Sequence, residues 1–252
     1  MRFLFQLYFC FFVVSGLAQT KNQVKTETDS VSSYLELATF YNKTNDYNLA
    51  LAYAQKAFDF AKSMRNPKKM AQSYAAMGAI YFEINKFEEA AKQYSKCLEI
   101  ADAYPASSEQ AYSYFQLALC QIELKQYLNA ELNLENAKNI YSFLRIADAI
   151  TLIQLQMGIV KEAKGDFDAA KLVFNQLIVY EGKKDPLSIT TTALYHLGNI
   201  ELQNFRYRLA LYYLNKAEKL TETTTLFSEQ KFCWRSVKPT KNQLICPRPM
   251  LI

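Results

Sequence analysis

Leu124–Leu134 reads LKQYLNAELNL, and it is the middle copy of a pattern that occurs five times in the chain. Forty residues earlier stands INKFEEA, ending at Ala90; forty later stands KGDFDAA, ending at Ala170. The same step reaches Ala50 and Ala210. Three residues before each alanine comes an aromatic: Tyr47, Phe87, Tyr127, Phe167 and Tyr207. Two columns in register over five copies, with no insertion or deletion, mark an array of structural units. Such units stack because none of them buries its own apolar face alone.

A third column lies twelve residues before each alanine and holds Ala38, Gly78, Ala118, Gly158 and Gly198. Three of the chain's 6 glycines sit here. Each costs about 1 kcal/mol relative to alanine inside a helix. That cost predicts a compensating close approach of two helices, with the column alanine opposite the small residue. The aromatic column, at the start of the second helix, is expected to plug the end of the helical hairpin.

Apolar spacing around these columns is helical throughout. Tyr34, Leu37, Ala38 and Tyr41 follow i, i+3, i+4, i+7. The first pair of helices is predicted at 31–41 and Tyr47–Lys62, ended by Asn66-Pro67, because the residue before proline is pushed out of helical geometry. Further pairs are expected at about 68–84 and 87–102, 108–124 and 127–145, a fourth from Asp148 turning at 164–166, and a fifth at about 187–203 and 207–222. Ser107 with Gln110 reads as a capping box, and Asp148 as an N-cap. A loop, EGKKDP at 181–186, precedes the fifth pair. No stretch has the period-2, β-branched pattern of a strand. The expected fold class is all-α, a right-handed α-solenoid of antiparallel helix pairs over residues 31–222.

The ends differ from the array. Arg2, the apolar run Phe3–Val14 and the small residues before Ala18 read as a signal peptide over 1–18, so the chain is expected to be exported. The apolar run falls short of the roughly 20 residues that span a bilayer. Residues 19–30 are polar and read as a flexible lead-in. Beyond 222 the register fails, and 223–252 reads as a partial sixth helix around Leu226–Trp234 followed by a disordered tail containing Pro239, Pro247 and Pro249. Cys97 stands at a small-residue position and reads as a buried thiol.

Composition excludes several functions. The net charge is +5, but Arg2 contributes one charge and residues 221–252 three, so the array itself is nearly neutral. A nucleic-acid binder needs a basic stripe on its folded body, which this array lacks. There is a single histidine, His196, and no metal-ligand spacing. No phosphate loop or nucleophile-elbow motif occurs. The sequence therefore predicts neither catalysis nor a cofactor or metal.

Small residue, alanine twelve later, and Tyr94, Leu134, Phe174 or Leu214 four beyond that resembles the tetratricopeptide repeat. TyrAlaAlaMetGlyAlaIleTyr at 74–81 is similar to that family's opening W-x2-L-G-x2-Y. The second aromatic is lost in later copies (Gln121, Lys161, Glu201), and the period is 40 instead of 34, as in the family's longer-helix branch. The resemblance implies a superhelix whose first helices line a concave groove that binds an extended or helical peptide. It implies groove positions Gln72, Ala75, Ala79 and Phe82; Tyr112, Phe115, Leu119 and Ile122; Leu152, Leu155, Ile159 and Glu162, with Gln156; and Thr192, Tyr195, Asn199 and Leu202, with His196 alongside. Longer helices bury more, so core is an equal expectation for Leu119, Leu152 and Ile159. No lysine or arginine stands at these positions to clamp a C-terminal carboxylate. The implied function is a non-enzymatic scaffold with a protein or peptide partner. The alternative is the extracytoplasmic sensory region of a signalling protein.

Overall fold

The computed structural model describes residues 30–178 and 189–225. The signal peptide, the lead-in up to residue 29, the 181–186 loop and everything beyond 225, including Trp234, lie outside the described residues. Ten helices and no strand occupy the described chain: α1 at 30–43, then α2 Tyr47–Ser63, α3 Pro67–Glu83, α4 Phe87–Ala101, α5 Ser108–Glu123, α6 Tyr127–Phe143, α7 Ala147–Ala163, α8 Phe167–Ile178, α9 Ile189–Gln203 and α10 Tyr207–Thr225. Ser30, assigned to the lead-in from its polarity, is already helical. Odd-numbered helices are the first members of the five expected pairs, and even-numbered helices the second.

Each first helix ends in the same turn. Asn45, Asn85, Lys125, Gly165 and Phe205 all have positive φ (63, 58, 59, 83 and 59°). At each, the residue's own N–H bonds to the carbonyl three back and the next N–H to the carbonyl five back, as in Asn85 N–H to Phe82 O (3.0 Å) and Lys86 N–H to Tyr81 O (2.9 Å). This double closure satisfies helix-end carbonyls and reverses the chain in two residues. The second helices α2 and α6 end the same way, with Arg65 and Arg145 at φ 49 and 59°.

Helix starts follow from local side chains. Asp46 accepts from Leu49 N–H, and Asn66, extended at φ −102°, accepts from Lys69 N–H ahead of Pro67. Ser107 likewise accepts from Gln110 N–H. The rest of the expected capping box does not form, because the Gln110 side chain goes to Asp102 instead. Asp148 is not an N-cap: α7 starts one residue before it, at Ala147, and Asp148 sits in the first turn. There its charge still favours the helix dipole.

All five column alanines are fully buried. The glycines do approach the second helix closely, but not against those alanines. A Cβ on Gly78 would lie 2.9 Å from the Tyr94 ring, and one on Gly158 would lie 2.5 Å from the Phe174 ring. One on Gly198 would lie 2.7 Å from Leu214 Cγ, with Ala210 O farther, at 3.4 Å. The alanine sets the approach of the backbones, and the residue four beyond it fills the glycine's empty place. Tyr47, Phe87, Tyr127 and Phe167 are half-buried at the hairpin ends as expected, but Tyr207 is 63% exposed. No further unit packs on it among the described residues.

From α2 to α10 every helix packs on its neighbours in sequence, α1 joins α2 through Ala38 with Ala50 and Ala54, and α3 also touches α5, as α7 touches α9. In a curved stack the elements on the inner side approach most closely, so these odd-to-odd contacts place the first helices on the concave face.

Candidate functional site

The expected groove positions separate into three groups. Phe115 is only 8% exposed and lies in a core cluster with Ala118, Ala130 and Leu134, and Leu155 is buried in the next cluster with Phe174 and Leu197. Neither is available as a surface anchor, which corrects the expectation for Phe115. Leu119, Leu152 and Ile159 are half-buried against the same clusters, so these positions serve the core as well. Gln72, Phe82, Gln156, Tyr195 and Asn199 are half-buried, and Tyr112 is 45% exposed.

His196 is held from several sides. Its Nδ1 sits 2.5 Å from Glu162 Oε2, which ties α9 to α7 across two units. Its ring stacks on Phe174 at 5.3 Å and meets Tyr195 edge-on at 5.7 Å. Glu162 and His196 therefore form a fixed polar step in the concave face, flanked by Tyr195. This pairing was not legible in the sequence, because the two residues occupy different columns of different units.

Two of the three lost aromatics of the repeat, at Gln121 and Glu201, are replaced by polar ties. Asn133 Nδ2 donates to Gln121 Oε1 at 2.8 Å. Glu201 is nearly buried and lies between Lys171 (3.6 Å) and Arg206 (3.5 Å). A buried carboxylate needs such cations.

A half-open cavity of about 740 Å³ lies where α3, the end of α4, the 102–107 connection and the start of α5 meet. Gln72, Ala75 and Tyr112 of the expected groove line it, together with Cys97, Gln110 and Ser113. Asp102 and Tyr114, which do not line it, hold one of its lining residues, Gln110, from behind. Asp102 accepts from Gln110 Nε2 (2.7 Å) and from the Tyr114 hydroxyl (2.9 Å). Burial, then the bond to and charge of Asp102, push the Tyr114 hydroxyl up to about 12, so it stays a donor. Ser113 Oγ donates to Glu109 O (2.9 Å), which leaves the Cys97 thiol to donate to Ser113 Oγ (3.3 Å). Burial raises the Cys97 thiol despite that bond, and burial pushes Cys120 up to about 12. Neither is a reactive thiolate. No group of His, Cys, Asp and Glu that could hold a metal occurs among the described residues, and none of their helices is long and apolar enough to cross a membrane.

The comparisons agree with this architecture. Residues 29–103 match the tetratricopeptide repeat model. Tetratricopeptide repeat protein 29 of Trypanosoma brucei brucei (strain 927/4 GUTat10.1) is 22% identical over 189 residues, covering 73% of this chain and 39% of that protein. The chain thus spans well under half of that relative's length. BtubC from P. vanneervenii superposes with a TM-score of 0.66 at 16% identity, over 90% of this chain and 98% of that one. The Rap conjugation gene regulator of plasmid pLS20, in complex with the Phr* peptide, gives 0.58 at 16% identity, over 76% of this chain and 53% of that one. The array is a tetratricopeptide-like solenoid.

Proposed function

We propose that this tetratricopeptide-like solenoid is an exported, non-enzymatic interaction scaffold whose concave face binds a peptide or helix of a partner protein. The observation that carries this reading is the face itself. Gln72, Tyr112, Gln156, Tyr195 and Asn199, on the first helices α3, α5, α7 and α9, keep contact with solvent, while the adjoining face of the same helices is core. Aromatic and amide side chains on a rigid scaffold suit a peptide, since the rings supply anchors and the amides pair with its backbone. The peptide-bound state of the Rap regulator supports such use of the fold.

Selection of peptides from a displayed random library on the immobilised full chain tests it. Tyr112→Ala and Tyr195→Ala are expected to weaken the selected peptides by about tenfold or more. Leu172→Ala, at an exposed position of α8, is expected to leave them unchanged. The opposite pattern would move the partner surface to the second helices and end this reading.

A further inference from the structure

The internal junctions of the array show how one unit joins the next. At each of the four, the column alanine of a second helix shares a core cluster with the residue thirty later, in the following first helix, as Ala50 does with Ile80 and Ala170 with Ile200. The receiving column, Ile80, Cys120, Val160 and Ile200, is at most 1% exposed. Its first member, Phe40 on α1, has no unit before it among the described residues and is 57% exposed. This is the uncovered front of the array.

The rear shows the matching contrast. One residue past the column alanine, Leu51, Ala91, Glu131 and Lys171 are half-buried, whereas Leu211 on α10 is 60% exposed, and Tyr207, one turn before it, is exposed too. The ion pair of Lys171 with Glu201 (3.6 Å) shows where this column lands on the next first helix. The position of Glu201 is held in α1 by Tyr41, which stands next to Phe40 and stacks on Tyr53. Front and rear are therefore the two halves of a contact that the chain makes four times within itself. The residues after α10 are a poorer cover for the rear. Forty after Gly198 stands Lys238, and Pro239, which follows it, breaks a helix.

We propose that the rear of one copy docks on the front of a second, so that the chain associates head to tail and carries its solenoid on from copy to copy. Leu211 of one copy then meets Tyr41 of the next, where the chain itself sets Lys171 against Glu201. Phe40 meets Ala210, as Ile200 meets Ala170 within the chain. A second copy covers both apolar ends at once, which no occupant of a single end does. The array is nearly neutral, so little charge repulsion opposes the approach. The contact is heterologous: each joined pair keeps one front and one rear, and the stack propagates. Concave faces become continuous along it, and the proposal holds whatever those faces bind.

Sedimentation of the full chain over a range of concentrations tests this. Association is expected to grow with concentration past the dimer, with a Kd on the order of 10 µM for each junction, as suits a small contact. Phe40→Glu blocks the front and Leu211→Glu the rear, each by placing an unpaired carboxylate in the seam. Each variant alone is expected to associate at least about thirtyfold more weakly. Mixed, the two supply one intact rear and one intact front, so a 1:1 pair is expected that grows no further. If a glutamate variant loses its melting transition, Phe40→Ser and Leu211→Ser take its place, with the same pattern and a smaller loss. A parent chain that stays monomeric throughout overturns the proposal and leaves the rear to residues 226–252 or to another protein. Association that persists in both variants places the contact elsewhere and overturns it too. Loss in only one variant marks a symmetric contact of like ends, and a mixture that stays monomeric while the parent associates denies the pairing of front with rear; either result overturns it.

Discussion

Gly78 faces Tyr94, Gly158 faces Phe174 and Gly198 faces Leu214, whereas the two alanines of that column, Ala38 and Ala118, share core clusters with Ala54 and Leu134. Glycine stands sixteen before both aromatics, Tyr94 and Phe174, and alanine sixteen before Ala54, while leucine follows alanine at Leu134 and glycine at Leu214. At Gly78 and Gly158 the two columns exchange volume, and this complementarity explains why glycine is tolerated mid-helix there. Gly158→Ala is expected to lower stability by about 1–3 kcal/mol through overpacking, despite alanine's better helix propensity, because the fully buried Phe174 cannot yield. Gly198→Ala is expected to cost less, since the half-buried Leu214 can move. Chemical denaturation of both variants and of Gly158→Ala/Phe174→Leu decides the matter: the second change should recover much of the loss. The smallness of the column was legible in the sequence, but its partner was not. Spacing identifies which residues share a turn, and only side-chain size across two columns identifies which ones touch. At the first-helix turns the left-handed column was hidden for another reason, because Asn, Asn, Lys, Gly and Phe share no obvious property. Phe205 is the costly member at φ 59°, where a side chain is disfavoured by roughly 1–2 kcal/mol. It is 76% exposed, so Phe205→Gly loses little packing and should raise the denaturation midpoint by the equivalent of about 0.5–1 kcal/mol, after the greater unfolded-state freedom of glycine is subtracted.

At the scale of elements, the second helices of the repeat begin after Asp46, Lys86, Gln126, Asp166 and Arg206. Only the two aspartates cap: Asp46 accepts from Leu49 N–H and Asp166 from Ala169 N–H, both at 3.3 Å. Gln126 holds nearly the same backbone (φ −87°, ψ 59°) as Asp46 (φ −88°, ψ 73°) but makes no side-chain bond. Gln126→Asp should therefore gain a cap and stabilise α6 by about 0.5–1 kcal/mol, measured by thermal melting. An unchanged or lowered melting temperature would show that the cap geometry is not available. Helix limits were largely readable because caps, prolines and the apolar period agree. The element that escaped the sequence reading was the connection at 102–107. Tyr104-Pro105 was visible as a break, but its consequence depends on the left-handed residues at 65 and 145, which only the backbone displays. One proline in a turn column thus converts a tight seam into the cavity beside α4.

For the whole molecule, the balance of forces on a bound partner follows from where charge sits. The array is nearly neutral, and its cations are partly occupied internally: Lys171 pairs with Asp168 (3.3 Å) and Glu201, and Lys164 with Glu131 (2.8 Å). Reversing Lys171 would set a second carboxylate beside buried Glu201 and unsettle the fold, so it does not report on binding. Phe115→Ala would act the same way, with a loss of about 3–5 kcal/mol of stability typical of a buried phenylalanine. Informative positions are those that reach solvent on the concave face, with Leu172 and Lys219 as references on the second helices. Binding there is expected to depend on the rings of Tyr112 and Tyr195 and to change by no more than about threefold between low and moderate salt, because few charges are desolvated or steered on contact. Tyr195→Ala should weaken a selected peptide while the melting temperature stays near that of the parent chain. Lys219→Glu should leave the affinity unaltered. A steep salt dependence, or a loss on Lys219→Glu that exceeds the loss on Tyr195→Ala, would mean that the partner approaches the outer helices through charge, and the concave face would then have no part in recognition.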